Sequence, residues 1–333
     1  TGAKKLKITN LPEPTIKNPN DYFNTVLYTG SASSNNITGV GFQPDLVWCK
    51  NRSNDDSHAL FDSVRGVTKR LRSDEDDAEV TDADTLTSFD SDGFSLGADA
   101  AEHGVGGNTD SYVAWNWKTN GGSTTTDTNG TVDSEVSRDA TAGFSIFTWT
   151  QTGGTDTIGH GLGVTPDLLI MKARTNTSGA TWWVYTDSLG TGNALALDLA
   201  NDKETNAAYF ATMDSTKCSN GEYTYAGGTD MTYVGYAFSS VAGYSKQGSY
   251  TGNGLALGPF IYTGFRPAWL MLKRVDSDGE WNILDVNRNV GEQPLAREIR
   301  ANLNNAESNY ESSRYIDFLS NGFKLRTADT DHN

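Results

Sequence analysis

Apolar positions along this chain fall in short runs bounded by glycine, serine, threonine and asparagine, the pattern of strands and turns rather than of helices. The run Leu46-Val47-Trp48-Cys49 sits in "GVGFQPDLVWCKNR" (39–52). It recurs as Leu168-Leu169-Ile170-Met171 in "GLGVTPDLLIMKAR" (161–174) and as Trp269-Leu270-Met271-Leu272 in "YTGFRPAWLMLKR" (262–274). A strand apolar at both parities is covered on both faces, so each run predicts a central strand. Pro44, Pro166 and Pro267 precede the runs, where a strand's first residue needs no ladder donor. Lys50, Lys172 and Lys273 follow them and are expected to mark the strand's exit into solvent.

The repeat extends outward on both sides. Upstream stand "VLYTG", "FTWTQTG" and "GSYTG", of which "FSIFTW" (144–149) alternates as a strand does. Downstream, "HALFDSVRG" (58–66), "TWWVYTDSLG" (181–190) and "EWNILDVNRN" (280–289) take one slot. "KRLRSDEDDAE" (69–79), "NALALDLANDKE" (193–204) and "REIRANLNNAE" (297–307) take the next. The last of these would read as a helix alone, but its partners alternate, so all three are predicted as strands. "SFDSDGFSL" (88–96) and "DFLSNGFKL" (317–325) are hairpins by their Ser-Asp-Gly and Ser-Asn-Gly turns. The first two repeats close on aromatic strands, "YVAWNWK" (112–118) and "YVGYAFS" (233–239), and the third has no such strand before Asn333.

Six or seven short strands per repeat predict an all-β chain of tandem β-sandwich or jelly-roll-like repeats, the third incomplete at its C-terminal end. The expected organisation is an extended arm over 1–21, repeat one over 22–118, and a Gly/Thr/Ser-rich linker over 119–142 with a short strand at 131–136. Repeat two covers 143–240 and the truncated repeat three 241–333. The join at 241–248 is short, which implies a fixed contact between repeats two and three rather than a tether.

Composition narrows the class. The aromatic fraction of 11% excludes a disordered chain, and a formal charge of −16 argues against binding nucleic acid or an anionic membrane surface. No apolar stretch is long enough for a membrane-spanning helix. Cys49 and Cys218 occupy unmatched places in their repeats and are expected to be buried free thiols.

Candidate chemistry is sparse. Asp90 and Asp92, and Asp276, Asp278 and Glu280, alternate before a glycine as calcium ligands can, but the full twelve-residue loop is absent and β-turns are expected. The acidic run 73–84 is expected to be a solvated loop. His58, His103, His160 and His332 show no metal-ligand spacing, and neither a nucleophile elbow nor a P-loop is present. No catalytic, cofactor-binding or metal-binding residue is therefore assigned, and no cofactor is expected. Trp115 and Trp117 share one strand face, and Trp182 and Trp183 point to opposite faces. Most tryptophans are read as core, about one in four as a surface platform.

The quoted stretches, from "YFNTVLYTG" through "YVAWNWK" and from "GYSKQGSYTGNG" to "DFLSNGFKLRTAD", resemble the β-rich repeat of marine tailed-phage, cyanophage-type, tail-fibre-like virion structural proteins. Nearly the whole chain carries the resemblance. It implies a non-enzymatic extracellular virion protein, part of a tail fibre, spike or tail-associated appendage serving host attachment or tail architecture. It also implies partners among other phage tail proteins, assembly as a homo-oligomer with a trimer favoured, and a longer polypeptide with a final aromatic strand. The alternatives are a carbohydrate-binding module for host surface glycans and, behind it, a glycan depolymerase built on two carboxylates.

Overall fold

The computed structural model describes residues 14–99, 105–106, 109–153, 155–175, 180–220, 230–289, 294–310 and 313–333. It is all-β, built of antiparallel sheets. In unit one a four-stranded sheet runs in the order Phe23–Thr29, Ser111–Trp117, Leu46–Asn51, Ala59–Asp62. A three-stranded sheet of Asn35–Thr38, Gly93–Leu96 and Leu86–Asp90 packs on one side of it. Unit two repeats the large sheet as Phe144–Thr150, Thr232–Phe238, Leu168–Ala173 and Trp183–Thr186. It extends that sheet with Asn193–Ala196 and Glu204–Thr205 at one end. Unit three has Trp269–Leu272, Asn282–Asp285, Arg297–Arg300 and Ser308–Asn309, with Phe260–Tyr262, Gly322–Leu325 and Ile316–Leu319 opposite.

The double-sided apolar runs have a simple cause. Side chains alternate across a strand, and each large sheet faces two different cores. Val47, Cys49, Ala59, Phe61 and Ala114 point into unit one's own sandwich, with Ile37, Leu86 and Phe94. The intervening Leu46, Trp48, Leu60, Val113 and Trp115 point the other way, into one core shared by all three units. There they meet Ile146, Ile170, Trp182, Val184, Val234 and Tyr236 of unit two and Trp281, Ile283 and Ile299 of unit three. The three large sheets thus stand around a common interior. The fixed contact expected between units two and three is this shared core.

Several expectations meet their physical reasons here. Arg297–Arg300 is a strand, because its register is set by pairing with Asn282–Asp285. The two hairpins turn as expected, Asp90 pairing with Gly93 and Leu319 with Gly322. A Cβ at Gly93 or Gly322 would collide with the carbonyl of Ile37 or Ile261, so glycine is required at both. The segment 119–142 supplies strands Thr125–Asp127 and Ser134–Asp139, which join the edge of unit two's large sheet beside Phe144–Thr150. The short strand expected over 131–136 therefore lies a little later. Of the expected arm, residues 1–13 lie outside the described residues, and 19–21 form a single 3-10 turn.

The lysines correct the sequence reading. Lys50 and Lys172 are buried and Lys273 half-buried, and their ammonium groups donate to backbone carbonyls instead of entering solvent. Lys172 reaches Asp76 O of unit one at 3.0 Å, and Lys273 reaches Ala200 O of unit two at 2.9 Å. Burial pulls Lys50 and Lys273 down to about 8, against nearby carboxylates that resist the shift. Six of the eight tryptophans are buried, and the other two, Trp117 and Trp269, are half-buried.

His58, Trp182 and Trp281 hold one position in the three units. Trp182 Nε1 donates to Arg72 O of unit one at 2.7 Å, and Trp281 Nε1 to Ala196 O of unit two at 2.7 Å. His58 Nε2 donates to Arg300 O of unit three at 2.9 Å, since its Nδ1 accepts Trp48 Nε1 at 2.8 Å. These bonds close a cycle: two to one, one to three, three to two. The smaller imidazole of His58 stands opposite the larger Trp48, where unit two has Ile170 with Trp182. Trp48→Ile alone leaves a cavity and an unpaired His58 Nδ1, and is expected to cost about 2–4 kcal/mol in denaturant unfolding. The double variant W48I/H58W recreates unit two's pair and is expected to recover most of that loss.

Candidate functional site

Two of the three joins between units carry charged clamps. At the first, Arg174 of unit two makes two bonds, of 2.9 and 3.0 Å, to Glu79 of unit one, which Arg65 also reaches at 3.0 Å. Arg65 is fully buried against Asp62, and Tyr236 of unit two donates its hydroxyl to Asp62 at 2.8 Å. At the second, Arg52 of unit one makes bonds of 3.0 and 2.9 Å to Glu307 of unit three, which also meets Arg288. Arg288 is buried against Asp285, which accepts Trp115 Nε1 at 3.0 Å. Burial disfavours the charges of Glu79 and Glu307, but their arginine partners outweigh it and hold both carboxyls below the usual carboxylate range.

The third join lacks this clamp. Unit two has Thr186 and Leu189 where its neighbours have Asp62/Arg65 and Asp285/Arg288. Glu204, the counterpart of Glu79 and Glu307, accepts the hydroxyl of Tyr209 in its own unit, and Arg274 turns to Asp276 at 2.8 Å. Here a trough of about 1100 Å³ opens into the shared core. Its floor holds Trp48, Leu197 and Trp281, and its walls include Phe238, Met271 and Leu189. An aromatic cluster rims it: Trp117 stands 5.7 Å from Trp269 and 6.3 Å from Phe238, ring centre to ring centre.

His332 lies in the same wall. Its Nε2 is 3.2 Å from Glu298 and its Nδ1 3.6 Å from Asp329, neither as a well-aligned hydrogen bond. Burial works against the imidazolium, but the Asp329 and Glu298 carboxylates prevail and raise its pKa.

The residues singled out by sequence are scattered and structural. Asp92 accepts the Gly41 N–H at 2.7 Å, and Asp90 accepts Ser95 at 2.7 Å, as turn caps. Among the described residues no three His, Cys, Asp or Glu side chains gather as metal ligands. The acidic run 73–84 is only in part a solvated loop: Asp76 is exposed, but others are tied down. Asp74 caps the N–H of His58 at 2.9 Å, Ser73 is buried with its hydroxyl on Ala301 O of unit three, and Glu79 bridges two units. His160 is buried, with Nδ1 accepting the Leu162 N–H at 3.1 Å, and His103 lies outside the described residues. Cys49 and Cys218 are free and buried, and burial pushes the Cys49 thiol up to about 12. Sequence reasoning missed the clamps, although the signal was present: Arg52, Arg174 and Arg274 follow the three lysines, and Glu79, Glu204 and Glu307 close the same stretch of each repeat.

The architecture defines a class: three β-sandwich units in one chain, locked about a shared aromatic core, with one open join. The chain belongs to the family described as a domain of unknown function, DUF7483, whose model matches residues 18–333. No curated protein and no solved structure matches it.

Two outcomes follow from the clamps and the buried imidazole. Arg65→Leu strands a buried Asp62 and is expected to cost about 3–5 kcal/mol, whereas D62T/R65L, which copies unit two, costs less than the single change. Burial and the nearby Lys50 charge pull His58 down to about 3, against about 6.5 in an unfolded chain. Its neutral form thus contributes stability in full above pH 6.5, lost as pH falls toward 3. Unfolding free energies measured between pH 6 and 4 should fall more steeply for the natural chain than for W48I/H58W, by about 1.4 kcal/mol per pH unit.

Proposed function

We propose that the chain is a non-enzymatic building block of a bacteriophage virion, part of a tail fibre, spike or tail-associated appendage. The observation that carries this reading is where the polar chemistry goes. Buried Arg65, Arg288, Lys172 and His58 are all spent on bonds within or between units. Such a network serves rigidity, which suits a part that bears load or presents surface loops. The motif resemblance supplies the virion context. One chain encloses the kind of threefold interior that fibre subunits build by trimerising, so each copy is a stiff block even before assembly.

A second reading, a module for host surface glycans, draws on one feature. Phe260 (43% exposed) and Tyr262 (66% exposed) share a strand face beside the trough and could stack on sugar rings.

Antibodies raised against the purified protein test the first reading by immunogold labelling of tailed virus particles. Gold on tails or fibres is the expected result. Labelling confined to soluble material would contradict it, and strong glycan-array signals lost in Tyr262→Ala would favour the second reading.

A further inference from the structure

The trough repeats, with one strand removed, a setting that is filled twice elsewhere in the molecule. Ser111–Trp117 lies between Phe23–Thr29 and Leu46–Asn51 and pairs with both. Thr232–Phe238 lies in the same way between Phe144–Thr150 and Leu168–Ala173. In unit three the matching walls are the segment 248–252 and the strand Trp269–Leu272, and both line the trough. Trp269–Leu272 is a sheet edge there, although its counterparts are central. Its residues 269–271 are only half-buried, and Trp269 Nε1 has no hydrogen-bond partner.

The two filled seats specify what the third accepts. Trp48 faces Trp115 and Ile170 faces Tyr236, each an inward ring that carries its polar tip to the next unit. The matching partner of Met271 would reach Thr186 and Leu189, which line the trough. Leu46 faces Trp117 and Leu168 faces Phe238, so Trp269 awaits another aromatic ring. Just before the inward rings, Ala114 and Gly235 are small because the sandwich side is full: a Cβ at Gly235 would strike the Phe147 ring.

We propose that the trough is the acceptor seat for one further antiparallel β-strand of this chemistry: Val, a small residue, Trp or Tyr, any residue, Trp or Phe. The strand comes from the same polypeptide, as Ser111–Trp117 and Thr232–Phe238 do in the other two units. The unfilled edge of Trp269–Leu272, not the position of the last residue, carries the assignment of a strand. The inference is independent of any virion role. Seating the strand would pair an open edge and cover an apolar wall, both of which favour it.

The test appends a copy of residues 111–118 after Asn333 through a short glycine–serine linker. A control carries the same appendage with both of its tryptophans replaced by aspartate. Hydrogen exchange at 269–273, read by mass spectrometry, is expected to slow about tenfold or more in the first and to stay unchanged in the control. Equal exchange in both appended chains would overturn the proposal. So would a natural chain that runs as a dimer in light scattering with this edge already protected, which would make a second copy the occupant. Slowing by soluble glycans, with none from the appended strand, would overturn it in favour of a sugar site.

Discussion

The structure depends on burying both faces of two central strands, Leu46–Asn51 and Leu168–Ala173, at once. A strand such as Leu46–Asn51 is apolar at every position through Cys49, so one covering layer is insufficient. Its own small sheet covers one face, and the other is covered only by the equivalent faces of the other two units. The shared core is therefore a requirement of each unit's sequence rather than a contact between finished domains.

That requirement orders the polar groups. Large rings facing one axis bring indole and imidazole N–H groups into a buried interior, where an unpaired donor is costly. His58, Trp182 and Trp281 find acceptors on the neighbouring unit's backbone, which turns a solvation problem into a directional lock. The buried lysines and the Arg–Glu clamps add further bonds on the same path. Where Thr186 and Leu189 replace the Asp–Arg pair the charged clamp is absent, and the trough lies along that join beside the unpaired edge of Trp269–Leu272.

Much of the fold was legible because strand periodicity is local. The double-sided runs at 46–49 and 168–171 and the Ser-Asp-Gly and Ser-Asn-Gly turns announced central strands and hairpins, whereas the run at 269–272, read in the same way, is a half-buried sheet edge. What covered the second face was not legible, since apolarity says that a surface is buried and not by what. Lys50, Lys172 and Glu79 were misread for the same reason. A charged residue at a strand end or in an acidic run normally meets solvent, and only long-range placement supplies the carbonyls or arginines that bury it here. The trough had no local signature, because it is made by an edge left open.

The central claim is that three repeats fold as one cooperative body around one core. Differential scanning calorimetry of the whole chain tests it most directly. The account predicts a single transition whose calorimetric and van't Hoff enthalpies agree. Two or three resolved transitions, each of a size fitting one repeat, would contradict it and return the units to independent domains.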